Sequence, residues 1–161
     1  MIEIEARVVD AMREHAVEGF PEEVCGVVFA TPGGQILRRL RNIQNELHAK
    51  DPEQHPRTAA TAYHMDSREL FEIEKQAREP GWRVLVFYHS HPQHDAYFSP
   101  TDRAQASYTD PVDGSRGPTY PGTTWVVVSV YDRVVRDVRA YAWDDEVRDF
   151  GETSFAVARR G

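Results

Sequence analysis

The chain reads as an α/β protein built on one mixed β-sheet flanked by helices, and three observations predict that class. Its elements alternate in the order helix, hairpin, helix, strand, helix, hairpin. Trp82 to His89 is an almost continuous apolar run, the pattern of a strand covered on both faces. A length of 161 residues, with 40% hydrophobic and 28% charged content, suits a single domain spanning 1–161 that can bury a real core.

Ile4, Val8, Val9, Met12 and Ala16 recur at helical spacing between charged residues and predict an amphipathic helix over 4–19, ended by Gly19. Val24 to Ala30 is a β-branched strand, Thr31-Pro32-Gly33-Gly34 a turn, and Gln35 to Ile43 alternates as the returning strand. Gln44 to Thr61 is polar, with Pro52 and Pro56, and reads as a long loop. Ala62-Tyr63-His64-Met65 reads as a short strand entering Asp66, a good N-cap. Asp66-Ser67-Arg68-Glu69 has capping-box spacing, and Leu70, Ile73 and Ala77 carry a helix to Pro80-Gly81.

The buried strand Trp82–His89 follows, and Pro92 stops it. Ser99 is placed as the N-cap of the next helix, with Pro100 at its first position and Asp102 in its first turn. Tyr108 to Gly122, with three prolines and three glycines, reads as a long loop, either a substrate clamp or a plain surface excursion. Thr124–Tyr131 and Val134–Trp143 form a second hairpin around Asp132-Arg133. Residues 144–161 read as a tail with an edge strand near Phe155-Ala156-Val157.

A formal net charge of −7 removes the electrostatic footprint of a nucleic-acid binder. The longest apolar runs are too short to span a bilayer, and the acidic start Met1-Ile2-Glu3-Ile4-Glu5 lacks the pattern of a signal peptide. A single cysteine, Cys25, rules out an internal disulfide, fits a reducing cytoplasm and reads as a packing residue. A homodimer is compatible with the sequence, which does not specify one.

The chemistry concentrates in His89-Ser90-His91-Pro92 and Ser99-Pro100-Thr101-Asp102. Histidines one residue apart lie on the same side of an extended strand. The ten residues between His91 and Asp102 let the chain turn and return a carboxylate to the same point. Three protein ligands leave a fourth tetrahedral position for water, the pattern of a catalytic zinc. Taken singly, a His-x-His pair is commonly incidental and Asp102 is an ordinary helix-start acid. Taken together, delivered by a buried strand and a cap, they read as a ligand set. His94 and Asp95 lie inside the ligand loop, near substrate or a supporting shell. His64 lines the crevice only if 62–65 form its edge, while His15, His48 and His55 read as exposed.

These motifs resemble the signature of the JAMM (MPN+) metalloprotease family, and Pro21-Glu22-Glu23-Val24-Cys25-Gly26 is similar to that family's first-strand motif, in which a glutamate three residues before a glycine is catalytic. The element order agrees along almost the whole chain. The resemblance implies an α-β-α sandwich with His89, His91 and Asp102 as zinc ligands. It also implies Glu23, favoured over Glu22 by its register with Gly26, as general base, and Ser99 as a group steadying the tetrahedral intermediate. Hydrolysis would follow from a water acidified by zinc, with Glu23 moving its proton to the departing amine.

The resemblance further implies cleavage after the C-terminal Gly-Gly of a ubiquitin-like or sulfur-carrier protein, including release of an attached amino acid. An extended tail laid beside Ala62–Met65 is the expected docking mode. Two other readings stand beside this one: a zinc hydrolase of short peptides or peptidoglycan fragments, and a non-catalytic binding module of the same fold. A zinc nucleobase deaminase would need a pair of cysteine ligands, which one cysteine cannot supply.

Overall fold

The computed structural model describes residues 1–159, so the last two residues of the expected tail lie outside the described part. In chain order its elements are β1 (Ile2–Glu5), α1 (Ala6–Gly19), β2 (Cys25–Thr31), β3 (Gly34–Leu40), α2 (Gln44–Lys50), α3 (Ser67–Arg78) and β4 (Arg83–Pro92). They continue with α4 (Pro100–Ala106), β5 (Ser107–Thr109), β6 (Arg116–Pro118), β7 (Thr124–Tyr131), β8 (Val134–Asp144), β9 (Asp149–Thr153) and β10 (Phe155–Ala158).

The mixed sheet expected from the sequence has six strands in the order β3-β2-β4-β7-β8-β9. Only β4 and β7 run parallel; the other neighbours are antiparallel. Strand β4 is central and is buried from Leu85 through Pro92, as its apolar run demands. On one face Val86, Tyr88, Val126 and Val128 pack under Val8, Val9, Met12 and Ala16 of α1. On the other, Val27, Phe29, Phe87, Trp125 and Val127 pack with Ala77 of α3, Ala106 of α4, Phe98, Tyr141 and Phe150.

Five local readings need correction. The helix expected over 4–19 begins two residues too early, since Ile4 and Glu5 belong to the strand Ile2–Glu5, paired in parallel with β10 across the whole chain. The edge strand near 155–157 therefore exists, but in this separate two-stranded sheet; β9 forms the edge of the main one. The expected loop over 44–61 contains α2, a helix hidden from periodicity because Gln44 is its only buried residue. Residues 62–65 form no strand, only an isolated bridge from Met65 to Asn42. The 108–122 loop holds the small hairpin β5–β6.

Both predicted caps form. Asp66 accepts from the amides of Arg68 and Glu69, while Glu69 turns away and accepts from Arg41 N at 3.1 Å. At α4 the box is complete, with Ser99 Oγ accepting from Asp102 N at 3.1 Å and Asp102 Oδ2 accepting from Ser99 N at 2.9 Å. The hairpin turn at Asp132-Arg133 takes φ of 49° and 64°, the left-handed geometry that matches strand twist.

Candidate metal centre and its cleft

Strand alternation puts Phe87, His89 and His91 on the face that meets α4, at the carboxyl end of β4. His89 is fully buried and His91 nearly so. Their Nε2 atoms lie 3.1 Å apart. The cap of α4 aims Asp102, also buried, at both: Oδ1 is 3.2 Å from His89 Nε2, and Oδ2 is 3.3 Å from His91 Nε2.

Tetrahedral ligands held at about 2.0–2.1 Å from one centre are separated from each other by roughly 3.3 Å. The observed separations of 3.1, 3.2 and 3.3 Å are of that size, although the two nitrogens face different oxygens of the Asp102 carboxylate and so bracket it rather than meeting one atom. His91 Nδ1 lies 2.8 Å from the Asp95 carbonyl, which can only accept, so Nδ1 carries the proton and Nε2 offers a lone pair. Tyr131 steadies that loop by donating from its hydroxyl to Asp95 Oδ1 at 2.9 Å. His89 is held differently. Its ring stacks on Tyr63 at 4.4 Å and 24°, and its Nδ1 has no hydrogen-bond partner among the described residues, nor has the buried Tyr63 hydroxyl.

A second carboxylate faces the same pair. Glu23 offers an oxygen that, with one nitrogen of each histidine, forms a group within 4.8 Å. The neighbouring strand fixes its position. Cys25 pairs with His89 and Gly26 with Tyr88, Val24 N donates to Ser90 Oγ at 2.9 Å, and Ser90 N donates to Val24 O at 3.0 Å. The main chain of Glu23 itself is tied on both sides: its N–H donates to Ala59 O at 2.7 Å, and its carbonyl accepts from Asn42 Nδ2 at 2.8 Å. Gly26 is required here because a Cβ would lie 2.4 Å from the Tyr88 ring, which is fully buried and hydrogen-bonded through its hydroxyl to His15 Nδ1 at 2.7 Å.

Burial pushes the Glu23 carboxyl up to about 8, with His91 and Arg57 pulling down and Asp102 pushing up. Burial acts the same way on Asp102, but the two imidazoles overcome it and hold that carboxyl well below the usual range. Burial lowers His89 despite Asp102, whereas in His91 the hydrogen bonds to Asp102 and the Asp95 carbonyl outweigh burial and raise it. The site thus holds one carboxylate locked in its charged form beside another that sheds its charge readily.

The cleft over these groups encloses about 330 Å³ and is lined by Glu23, His91, Ser99 and Asp102 together with residues from two further walls. Arg57, Thr61 and Tyr63 come from the segment before α3, and His94, Tyr97, Thr101 and Gln105 from the ligand loop and α4. Ser99 Oγ accepts from Asp102 N and keeps its own proton for a donor bond into the cleft, so capping and donation do not compete.

All five sequence-identified site residues therefore converge. His94 lines the cleft, with Nδ1 2.8 Å from the Pro92 carbonyl. His64 does not; its exposed side chain points away while Tyr63 faces in. The segment 62–65 is also less open to a docked strand than expected: the Ala62 carbonyl accepts from Asn42, the Tyr63 carbonyl from Gln105, and both main-chain groups of His64 are bonded. His15, His48 and His55 are half-buried rather than exposed, and His48 Nδ1 contacts the His55 carbonyl. Cys25 packs with its Sγ 3.7 Å from the Leu40 and Arg41 carbonyls, and burial pushes its thiol up. Among the described residues, none of the β5–β6 hairpin lines the cleft. Arg57, Thr61, Tyr97 and Gln105 are cleft residues that the sequence did not single out, whereas Tyr63 lay within the expected docking edge.

The family model described as prokaryotic homologs of the JAB domain matches residues 5–144. A desampylase of Haloferax volcanii is 29% identical over 152 residues, covering 92% of this chain and 90% of that one. A CysO-cysteine peptidase of Mycobacterium tuberculosis is 30% identical over 138 residues, covering 86% and 80%. A solution structure of a protein from Desulfitobacterium hafniense superposes with a TM-score of 0.69 at 19% identity, over 99% of this chain and 94% of that one, a likeness of fold. One from Salinibacter ruber gives 0.58 at 27% identity, over 98% and 92%.

Proposed function

Because the chain belongs to the prokaryotic JAB-domain family, we propose that it is a zinc-dependent peptidase that cleaves after the C-terminal Gly-Gly of a ubiquitin-like or sulfur-carrier protein. The observation that carries the reading is the buried convergence of His89 Nε2 and His91 Nε2, 3.1 Å apart, with each nitrogen within 3.3 Å of an oxygen of Asp102, a spacing compatible with ligands of one tetrahedral zinc. His89, His91 and Asp102 hold the metal. When bound, zinc would lower the pKa of a water beside it to about 7 and polarise a carbonyl.

Glu23 accepts one proton from the attacking water and carries it to the departing nitrogen. A C–O bond forms at the glycine carbonyl as its C–N bond breaks, and the products are a free Gly-Gly carboxylate and an amine. Ser99 Oγ–H donates to the oxygen that gains charge, a contribution of a few kcal/mol at comparable sites. The names of the two relatives support a peptidase, and the lone, buried Cys25 and absence of a membrane-length apolar helix among the described residues suit a chain working in the cytoplasm.

Metal analysis of purified protein with the variants Glu23→Gln and Asp102→Ala tests the assignment. Wild type and Glu23→Gln should each carry one zinc per chain, Asp102→Ala should lose it, and only wild type should release the adduct from Gly-Gly-tailed carriers by intact mass. A stable wild type that takes up no zinc would sink the proposal. Cleavage of short peptides with no preference for a folded carrier would favour the small-substrate hydrolase instead.

A further inference from the structure

One wall of the cleft carries a cation for which the hydrolytic steps have no use. Arg57 is the only lysine or arginine among the described residues lining the cleft, and its side chain makes no hydrogen bond or ion pair there. Its main chain is nevertheless anchored. The buried Gln44 donates from Nε2 to the Arg57 carbonyl at 2.9 Å, and Asn45 Oδ1 accepts from Ala59 N at 2.8 Å. The Ala59 carbonyl in turn accepts from Glu23 N at 2.7 Å. Arg57 therefore sits on a braced segment that is hydrogen-bonded to the main chain of the proton carrier, and the Arg57 charge is felt at the Glu23 carboxylate.

This placement bears on the leaving group. An amine departing beside Glu23 is either the α-amine of a single amino acid, whose carboxylate is one carbon away, or a side-chain amine with no carboxylate nearby. With the metal engaged at the scissile bond, a carboxylate entering on the Glu23 side of the cleft is held best by a separate facing cation. A guanidinium offers such a carboxylate two parallel donors.

We propose that Arg57 receives the α-carboxylate of a single C-terminal amino acid, so that the cleft favours release of one free amino acid from a Gly-Gly tail over release of a lysine-linked protein. The proposal rests on the peptidase reading above and narrows its substrate class.

The test uses a Gly-Gly-tailed sulfur-carrier protein extended by one alanine, prepared as the free acid and as the C-terminal amide. Binding of each is measured by calorimetry on the zinc-loaded Glu23→Gln protein, and cleavage of each by intact mass on the zinc-loaded wild type. The acid should bind about tenfold more tightly than the amide, and adding Arg57→Gln should remove that gap while leaving the amide unchanged. Acid-selective binding without cleavage would refute the peptidase reading while the carboxylate site stands. Equal binding of acid and amide overturns the Arg57 assignment even if both are cleaved. So does an Arg57→Gln loss shared equally by both forms, which would place the arginine on the carrier, and so does failure of either form to bind.

Discussion

Replacing Ser90 with alanine asks what the residue between the two histidines is for. Ser90 sits on β4 between His89 and His91, and its Oγ accepts the Val24 amide at 2.9 Å, one residue from Glu23. Both Ser90 and Val24 are buried, so without Oγ the Val24 N–H is left without a partner away from water. An orphaned buried amide costs about 1–3 kcal/mol. For a chain of 161 residues each kcal/mol moves the Tm by about 2–4 °C, so a loss near 2 kcal/mol appears as roughly 4–8 °C. The larger effect is expected in catalysis. Val24 carries Glu23 on its amino side, and a displacement of about 1 Å in a reacting group costs on the order of 100-fold. On the zinc-peptidase reading, Ser90→Ala should therefore bind metal as wild type does and lose about 10- to 100-fold in kcat. Differential scanning calorimetry, zinc content and adduct release measure the three quantities. A Tm within 1 °C of wild type together with unchanged kcat would refute the clamp.

Gly26→Ala should lose about 3 kcal/mol, read by urea unfolding, because its Cβ meets the immobile Tyr88 ring at 2.4 Å; an unchanged midpoint would contradict that crowding. His15 gives a pH signature. Burial lowers it to about 4 in the folded chain against 6.5 unfolded, so the unfolded chain binds the extra proton between those values and stability falls as pH drops from 6.5 to 4. The full shift, discounted for the ring's partial exposure, amounts to about 1–2 kcal/mol, and His15→Gln should flatten the unfolding free energy over that range by this much. Identical pH slopes for the two proteins would count against it. Ser99→Ala should lose about 1 kcal/mol from the cap of α4 and about 10²-fold or more in kcat, whereas Ser99→Thr, which retains the hydroxyl, keeps most of both; equal rates for the alanine and threonine variants would remove Ser99 from the chemistry.

How much of this was readable before any coordinates depended on how locally each feature is encoded. His89, His91, Ser99 and Asp102 lie within fourteen residues, and strand alternation and cap spacing alone bring them to one point. Glu23 joins them only through the register of β2 on β4, and the motif around Gly26 made that readable. Arg57 was silent because an arginine in a polar, proline-bearing stretch is indistinguishable from a solvated one until Gln44 and Asn45 are seen bracing its segment. Tyr63 and His64 were inseparable for a similar reason, since with no strand at 62–65 there is no alternation to assign a face. The strand at Ile2–Glu5 escaped because its partner among the described residues, Phe155–Ala158, lies at the other end of the chain and Ile4 fits the helical period equally well.

The cap of α4 has a consequence for how such a chain ages over generations. Asp102 Oδ2 accepts the Ser99 amide at 2.9 Å and stands 3.3 Å from His91 Nε2, so one oxygen begins a helix and, on the proposed reading, belongs to a metal ligand as well. Most exchanges at that position would damage shape and chemistry together, and a lineage drifting away from catalysis would be penalised for folding badly before it had lost anything else. Asparagine is the narrow exit: it can still accept the Ser99 amide while giving up the negative charge. A descendant retired from hydrolysis but kept for its surface should bear that one-atom scar at position 102, beside histidines free to wander.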